Sequence, residues 1–498
     1  MISQFVKEQK RYTRDELKNI FTAHSKECSE TDVIRIIKKL KEYGVLKCVK
    51  GTELQLSLSD LADEDVEVVD DCDNQSRFYY VFTFVGIIIV EGRILKCYPK
   101  YIKNNIEPTE ELHQVIQVLR KYDSKEQIIR MHSFDVETST YNRLSVIMFL
   151  LNDYFENGIY ANEEESIETN GTGEIHWDKT INGTYPMIQD NRPYYFELLT
   201  KQRINNTEDY FKRLHECILT KCTDELKRAG LIDILDMEEV ILSGEDLTDF
   251  GDEEYILYNI GKELGVQFNT RKQIVLKAIE SIILNKSNLE DENSFSMFGT
   301  NSFNLVWQKV CEEVMDNKLH TRIKDLGLSN VSIPEGAIYT VEDELISIID
   351  KPQWCGKKDN KAFSKNANKT LEPDLVSIYK EDDVYVFGLF DAKYYCIQLE
   401  PNKDLLGQPG VGDITKQYLY QLAFMNFIEA NKISKVLNWF LLPTEKQNDI
   451  GVFHIGYVKL DMLKSKRLED IQVILLNAPL MYDYYLSNRK MRIRLDKK

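Results

Sequence analysis

Residues 371–395, LEPDLVSIYKEDDVYVFGLFDAKYY, constrain the fold more than any other stretch. The run 384–390 is dense in β-branched and aromatic residues, which marks a strand buried in a sheet. An acidic turn precedes it. A hairpin centred between Asp382 and Asp383 pairs Lys380 with Tyr385 and, further along, Asp374 with Asp391. Because side chains alternate along a strand, Asp391 and Lys393 face the same side. Two carboxylates and one ammonium therefore converge at the end of an apolar hairpin.

Those residue types suit a metal-and-water site. Two hard oxygen ligands can hold Mg²⁺, which keeps several waters and takes further ligands from a phosphate. The ion stabilises charge on a phosphoryl oxygen and acidifies a water, which a nearby lysine can orient or deprotonate. The competing reading is a structural ion pair. Asp-x-Lys also occurs at Asp123–Lys125, Asp316–Lys318 and Asp359–Lys361, all three read as solvated surface. Only Asp391–Lys393 ends a buried strand with a second aspartate, after a proline, opposite it.

Pro373-Asp374, sixteen residues, and then Asp391-Ala392-Lys393 resemble the signature of the PD-(D/E)xK nucleases. Residues 413–424, DITKQYLYQLAF, resemble the helix that follows it in McrC-like nucleases. Lys416 and Tyr420 lie one turn apart on that helix, as do Gln417 and Gln421, making a polar stripe; Ile414, Leu422, Ala423 and Met425 are expected to pack inward. Nearly the whole chain resembles the LlaJI restriction endonuclease family, the McrC-type subunit. The resemblance implies cleavage of double-stranded DNA with Mg²⁺ or Mn²⁺. Asp374, Asp391 and the Ala392 carbonyl would hold the metal, Lys393 would handle the water, and the stripe carrying Gln417 would face the scissile phosphate. It also implies a McrB-like AAA+ GTPase oligomer as partner and a cognate DNA methyltransferase in the same system. Related nucleases place a glutamate on the helix expected at 303–317. This chain has Gln308 at the expected position and Glu312 one turn later.

The formal net charge of −18 argues against a surface that coats nucleic acid as a whole, so any DNA contact must be local. Nine cysteines, odd in number and without C-x-x-C pairs, read as reduced thiols and build no zinc motif. There is no Walker A loop and no GxGxxG, so nucleotide hydrolysis is expected of a partner. The charged N-terminus lacks a signal-peptide core, and the most apolar run, 81–90, is too short to span a bilayer. The expected compartment is the cytoplasm.

The fold class is α+β and multidomain. Residues 1–70 form a winged-helix-like module: a capping box at Ser29-Glu-Thr-Asp32, an apolar stripe of Val33, Ile36, Ile37 and Leu40, basic residues Arg35, Lys38, Lys39 and Lys41 elsewhere, then a hairpin turning at Lys50-Gly51. Such a helix docks in a DNA groove or against a protein, and the two stay open. An acidic linker, 60–73, follows.

Residues 75–290 read as a McrC-like N-terminal region with mixed β structure and a helical stalk. A hairpin turns at Glu91-Gly92, helices are expected at 109–122, 141–155, 209–230, 253–264 and 270–284, and 163–173 reads as an acidic loop. His176 and Trp177 are read as strand residues for packing or an interface, not catalysis; the resemblance makes this region the GTPase interface. Residues 291–498 form the restriction-endonuclease-like α/β domain with a mixed sheet. Its first strand is expected at 337–342, a basic loop at 351–370 with six lysines against one aspartate, and Asp413 as a helix cap. Residues 489–494 add a second basic segment.

Two further functions remain as alternatives: a non-enzymatic activator of a McrB-like GTPase with a vestigial nuclease fold, and a DNA-binding regulator using the winged helix. The intact Pro373-Asp374 and Asp391-Ala392-Lys393 set argues against the first of these, though Gln308 leaves room for it; the second leaves the long C-terminal domain unexplained.

Overall fold

The computed structural model describes residues 2–22, 29–50, 78–131, 142–205, 209–285, 288–289, 291, 294–358, 361–448, 450–466 and 468–492. They group into two compact units, one of residues 124–296 and one of residues 2–123 with 297–498.

The second unit begins with β1 (Ile2–Lys7), β2 (Arg11–Tyr12), α1 (Arg14–Thr22), α2 (Glu30–Glu42), β3 (Leu46–Lys50), β4 (Phe78–Phe82), β5 (Val85–Val90), β6 (Arg93–Tyr98) and α3 (Thr109–Met131). The Ser29–Asp32 capping box forms: Asp32 N–H donates to Ser29 Oγ at 3.2 Å and Ser29 N–H to Asp32 Oδ2 at 3.0 Å. The apolar stripe of α2 is buried as the pattern requires. Arg35 and Lys39, two of its basic residues, both reach Glu91 in the β5–β6 turn, so those cations hold the module to the neighbouring strands. β3 pairs with β4, while the second arm of the expected wing and the acidic linker lie outside the described residues. β1 runs parallel to β6 in a sheet of order β1-β6-β5-β12, in which β12 is Phe295–Thr300. The Glu91-Gly92 turn is as expected, with φ of 49° and 71°. Gly86 and Gly299 lie against each other where β5 meets β12: a Cβ on Gly86 would fall 2.1 Å from the Phe298 oxygen, so only glycine admits this approach.

The unit 124–296 holds α4 (Arg143–Asn157), β7 (Glu163–Thr169), β8 (Glu174–Ile175), α5 (Trp177–Gly183), β9 (Met187–Gln189), β10 (Arg192–Tyr194), β11 (Leu199–Asn205), α6 (Tyr210–Ala229), α7 (Glu253–Val266) and α8 (Thr270–Leu284). α6 starts on its Asp209 cap and ends on left-handed Gly230, and it buries Leu214, Cys217, Ile218, Cys222 and Leu226. Arg143–Glu225 and Arg271–Asp153 pair beneath the helices. The expected acidic loop at 163–173 is largely a strand, because β7 has a seven-residue partner in β11. His176 is not in a strand either. It caps α5, its Nδ1 accepting the Lys179 N–H.

The remainder of the second unit runs β12 (Phe295–Thr300), α9 (Phe303–Val314), β13 (Gln353–Lys358), β14 (Lys361–Asn366), β15 (Leu375–Glu381), β16 (Val384–Ala392), α10 (Val411–Ala430), β17 (Lys435–Thr444), β18 (Val452–Val458), β19 (Ile471–Asn477) and α11 (Ala478–Leu486). A mixed five-stranded sheet has the order β15-β16-β17-β19-β18. One face packs α10 through Phe424 and Phe427 against Val376, Ile378, Phe387 and Leu389. α9 and α11 meet through Trp307 and Tyr482. Two expectations fail here. Residues 337–342 form no strand; Ile338 is exposed while Tyr339 packs against the core. Residues 351–370 are no open loop but carry the β13–β14 hairpin.

Among the described residues, Cys97, Cys217, Cys222, Cys311, Cys355 and Cys396 are free thiols, whereas Cys48 is in a disulfide, contrary to the all-reduced expectation. Among the described residues no helix is long and apolar enough to cross a membrane.

Candidate active site

The β15–β16 register is the one expected: Lys380 pairs with Tyr385 and Leu375 with Phe390, so the next rung sets Asp374 opposite Asp391. The two-residue turn has φ of 45° at Asp382 and 64° at Asp383, the left-handed pair that matches the twist of a tight hairpin. Parity puts Asp374, Asp391 and Lys393 on the face that carries Val376 and Leu389, beneath α10. The Ala392 N–H donates to Asp374 Oδ2 at 2.9 Å, which locks the aspartate against the end of β16. Lys393 Nζ lies 3.2 Å from Asp391 Oδ2 and 3.0 Å from Asp413 Oδ1.

Further contacts hold this corner. Lys393 N–H donates to the Leu441 carbonyl at 2.9 Å, and the buried Trp307 Nε1–H donates to the same oxygen at 3.1 Å. Asn317 Nδ2 donates to the Asp374 carbonyl, and its Oδ1 accepts the Val376 N–H. Tyr420 donates to the Glu372 carbonyl at 3.0 Å. The edge of β15 is thus covered by the segment after α9, which also donates the Lys318 N–H to Val376.

Electrostatics follow from burial. Asp391 is 5% exposed. Burial, then the charge of Asp391 and a hydrogen bond shared with it, push the Asp374 carboxyl up to about 8. Burial disfavours the charge on Lys393, but Asp391 and Asp413 outweigh it and hold the ammonium above the usual lysine range. Burial and the nearby carboxylates push the Tyr420 hydroxyl up to about 12.

The donor set fits a hard cation. A carboxyl that keeps its proton beside a buried carboxylate marks a place where a divalent ion can take the proton's position. Among the described residues no cluster of three or more His, Cys, Asp or Glu side chains is disposed to hold a metal. Two carboxylates and the Ala392 carbonyl would leave coordination positions for water and phosphate, as Mg²⁺ prefers.

The other expected site residues fall elsewhere. Gln417 is fully buried; its Nε2 donates to the Leu389 carbonyl at 3.2 Å, and its Oε1 has no partner among the described residues. Gln421 accepts from Asn438, also in the interior. Of the expected polar stripe only Lys416 is exposed, and Leu422, expected inside, lies on the outer face with Leu419. Gln308 donates to Glu312, which also meets Lys309, and neither joins the aspartate pair. Asp413 is a residue whose role sequence reasoning missed. It does not occupy the cap position, which is Gly410; it sits in the first turn of α10, accepts the Gly410 N–H, and pairs with Lys393. A carboxylate near a helix start signals a cap, and only the fold reveals the lysine beside it.

The family model of the LlaJI restriction endonuclease matches residues 84–329 and 336–479. A curated relative, the type II restriction enzyme BsuMI component YdjA of Bacillus subtilis (strain 168), is 25% identical over 419 residues, 82% of this chain and 81% of its own. Among solved structures, the half-complex from a tetradecameric assembly of Thermococcus gammatolerans McrB AAA+ hexamers with bound McrC matches at a TM-score of 0.33 and 11% identity, covering 98% of this chain and 99% of that one. The McrBC complex of the same organism matches at 0.25 and 12%, covering 62% and 86%. With the family model spanning most of its length, this chain belongs to the LlaJI restriction endonuclease family.

Proposed function

We propose that this chain is the DNA-cleaving subunit of a GTP-driven restriction system and hydrolyses phosphodiester bonds of double-stranded DNA at a PD-(D/E)xK site with Mg²⁺, Mn²⁺ serving in its place. The observation that carries the reading is the convergence of Asp374, Asp391 and Lys393 at the end of one buried hairpin. A bound Mg²⁺ would supply charge stabilisation at a phosphoryl oxygen and a more acidic water. The chain's own part is positioning. Asp374, Asp391 and the Ala392 carbonyl present oxygen ligands on a rigid strand end. Lys393, held as an ammonium, orients the attacking water and the phosphate rather than accepting a proton. Gln417, beneath the strand, supports the Leu389 carbonyl two residues before Asp391 and so acts on the site through the backbone.

The partner reading has its own support. Trp177, Ile181, Tyr185, Ile188 and Phe196 expose large apolar surface within 177–196, Tyr185 by 99%. A patch of that kind fits a protein interface, and we assign it to a McrB-like AAA+ GTPase oligomer, with a cognate DNA methyltransferase protecting the host.

A second reading, an activator with a vestigial nuclease fold, draws on the Gln308–Glu312 pairing, which leaves the aspartate pair without a third carboxylate. A nicking assay decides. The purified chain, with and without a McrB-like GTPase, is given supercoiled DNA in Mg²⁺ or in excess EDTA. Cleavage that needs Mg²⁺ and is lost in Asp391→Asn supports the nuclease; partner GTPase stimulation with no cleavage under any condition leaves the activator.

A further inference from the structure

Among the described residues, β13 and β14 pair only with each other. The register runs from Gln353–Asn366 to Lys358–Lys361, and every residue of both strands is exposed except Gly356, which is half-buried. A lone two-stranded hairpin is marginal in water, yet this one displays Trp354 at 73% and Phe363 at 48% exposure. Parity places Trp354, Gly356 and Lys358 on one face with Lys365, Phe363 and Lys361 opposite them. The Phe363 ring lies across Gly356, where a Cβ would come within 2.6 Å of it. One face thus carries two aromatic rings among three lysines.

Among the described residues, none of the lysines of this hairpin makes an ion pair, whereas Lys380, Lys393, Lys403 and Lys435 beyond it all do. The overall charge of −18 makes this local field one of opposite sign. The hairpin's root is fixed, with Ala367 N–H donating to the Pro352 carbonyl and the Thr370 hydroxyl to that of Asp350. From Asn366 the chain leads directly through Pro373 to Asp374.

We propose that this hairpin is a β-ribbon that lies in a groove of duplex DNA beside the cutting site. Lys358, Lys361 and Lys365 bind backbone phosphates, and Trp354 and Phe363 press on bases or sugars. A two-stranded ribbon fits the width of the major groove. Phosphate contacts contribute affinity and salt dependence, and ring contacts contribute affinity that salt does not screen. The inference rests on the nuclease reading and gives it a substrate-holding element distinct from the aspartate pair.

The test measures binding of the full chain to a short fluorescein-labelled duplex, by anisotropy in EDTA, across a salt series. The Lys358/Lys361/Lys365→Ala variant is expected to flatten the slope of log K against log salt by about 2 to 3. Trp354→Ala is expected to weaken binding on the order of tenfold with the slope unchanged. Since both strands of the hairpin are exposed, thermal unfolding of both variants should match wild type. Wild-type affinity and slope in both variants overturns the ribbon, and leaves the nuclease reading standing if Lys393→Ala still stops cleavage. Binding to phosphatidylserine vesicles but not to duplex also overturns the ribbon. A wild-type chain that neither binds nor cuts the duplex overturns both.

Discussion

Lys393 Nζ lies 3.0 Å from Asp413 Oδ1, which ties the end of β16 to the first turn of α10. The same ammonium is 3.2 Å from Asp391, so it bridges a strand carboxylate and a helix carboxylate. Lys393→Ala should lower DNA cleavage by about 10²- to 10³-fold, the range for removing one preorganised donor aimed at developing charge. Asp413→Asn keeps Lys393 but removes one of the charges that raise its pKa. It should leave most cleavage intact and lower the alkaline limit of the pH–rate profile. Wild-type rates in Lys393→Ala would reduce Asp391–Lys393 to a structural ion pair.

The adjacent tyrosine makes a different connection. Tyr394 donates to Glu8 Oε2 at 2.5 Å, and Lys100 N–H donates to the same oxygen at 3.1 Å, so the candidate site's strand is anchored to β1 and β6. Burial holds the Glu8 carboxyl above its usual range, with Lys100 and these hydrogen bonds opposing. Glu8→Ala would leave both donors without an acceptor and should cost on the order of 2–4 kcal/mol; Glu8→Gln should cost less. The sign of the pH dependence is fixed by linkage. A raised acid keeps its proton in the folded state while the unfolded chain has lost it, so stability falls as pH rises from the unfolded value through the folded one. Glu8→Gln has no such loss, and its melting temperature relative to wild type should climb with pH.

Asp374, pushed up to about 8, carries the same sign. In the absence of metal, its share of stability declines between about pH 4 and pH 8. Mg²⁺ must displace that proton, so its binding tightens as pH rises. Thermal shifts on adding Mg²⁺ should be larger at alkaline than at acidic pH, and Asp374→Asn should flatten the difference. A pH-independent shift would remove the aspartate pair as the metal's seat.

The legible part of the molecule was the part where local and tertiary signals agree. The β15–β16 register followed from an apolar strand and a two-residue acidic turn, and α6 and α9 followed from one buried face each. β7 and β13 were not legible, because a strand rich in Glu or Lys has no apolar alternation and is held by the partner strand alone. α10 misled differently. It is buried on more than one side, so Gln417 and Gln421 occupy the interior while Leu419 and Leu422 face out, and amphipathic reading inverted part of it. Asp413 could be read as a helix-start residue but not as a partner of Lys393, since that contact depends on how the helix crosses the strand end.

The last prediction separates cutting from assembly. Trp177 is 54% exposed and opens α5, a short helix whose cap is His176, in the unit 124–296. Lys393 belongs to the other unit. If the exposed 177–196 surface binds the GTPase, Trp177→Ala together with Tyr185→Ala should weaken complex formation by about 10-fold or more, as truncation of aromatic anchors does. Any cleavage seen without the partner should survive, because the aspartate pair belongs to the other unit. Lys393→Ala should do the reverse, abolishing cleavage while the complex forms and GTP turns over. Because no phosphate-binding loop is present in this sequence, the isolated chain should not hydrolyse GTP at all. The measurement is paired: DNA cleavage and GTP turnover on both variants, with the partner present. Loss of both activities in both variants would show that the two surfaces do not act separately, and the division of labour proposed here would fail.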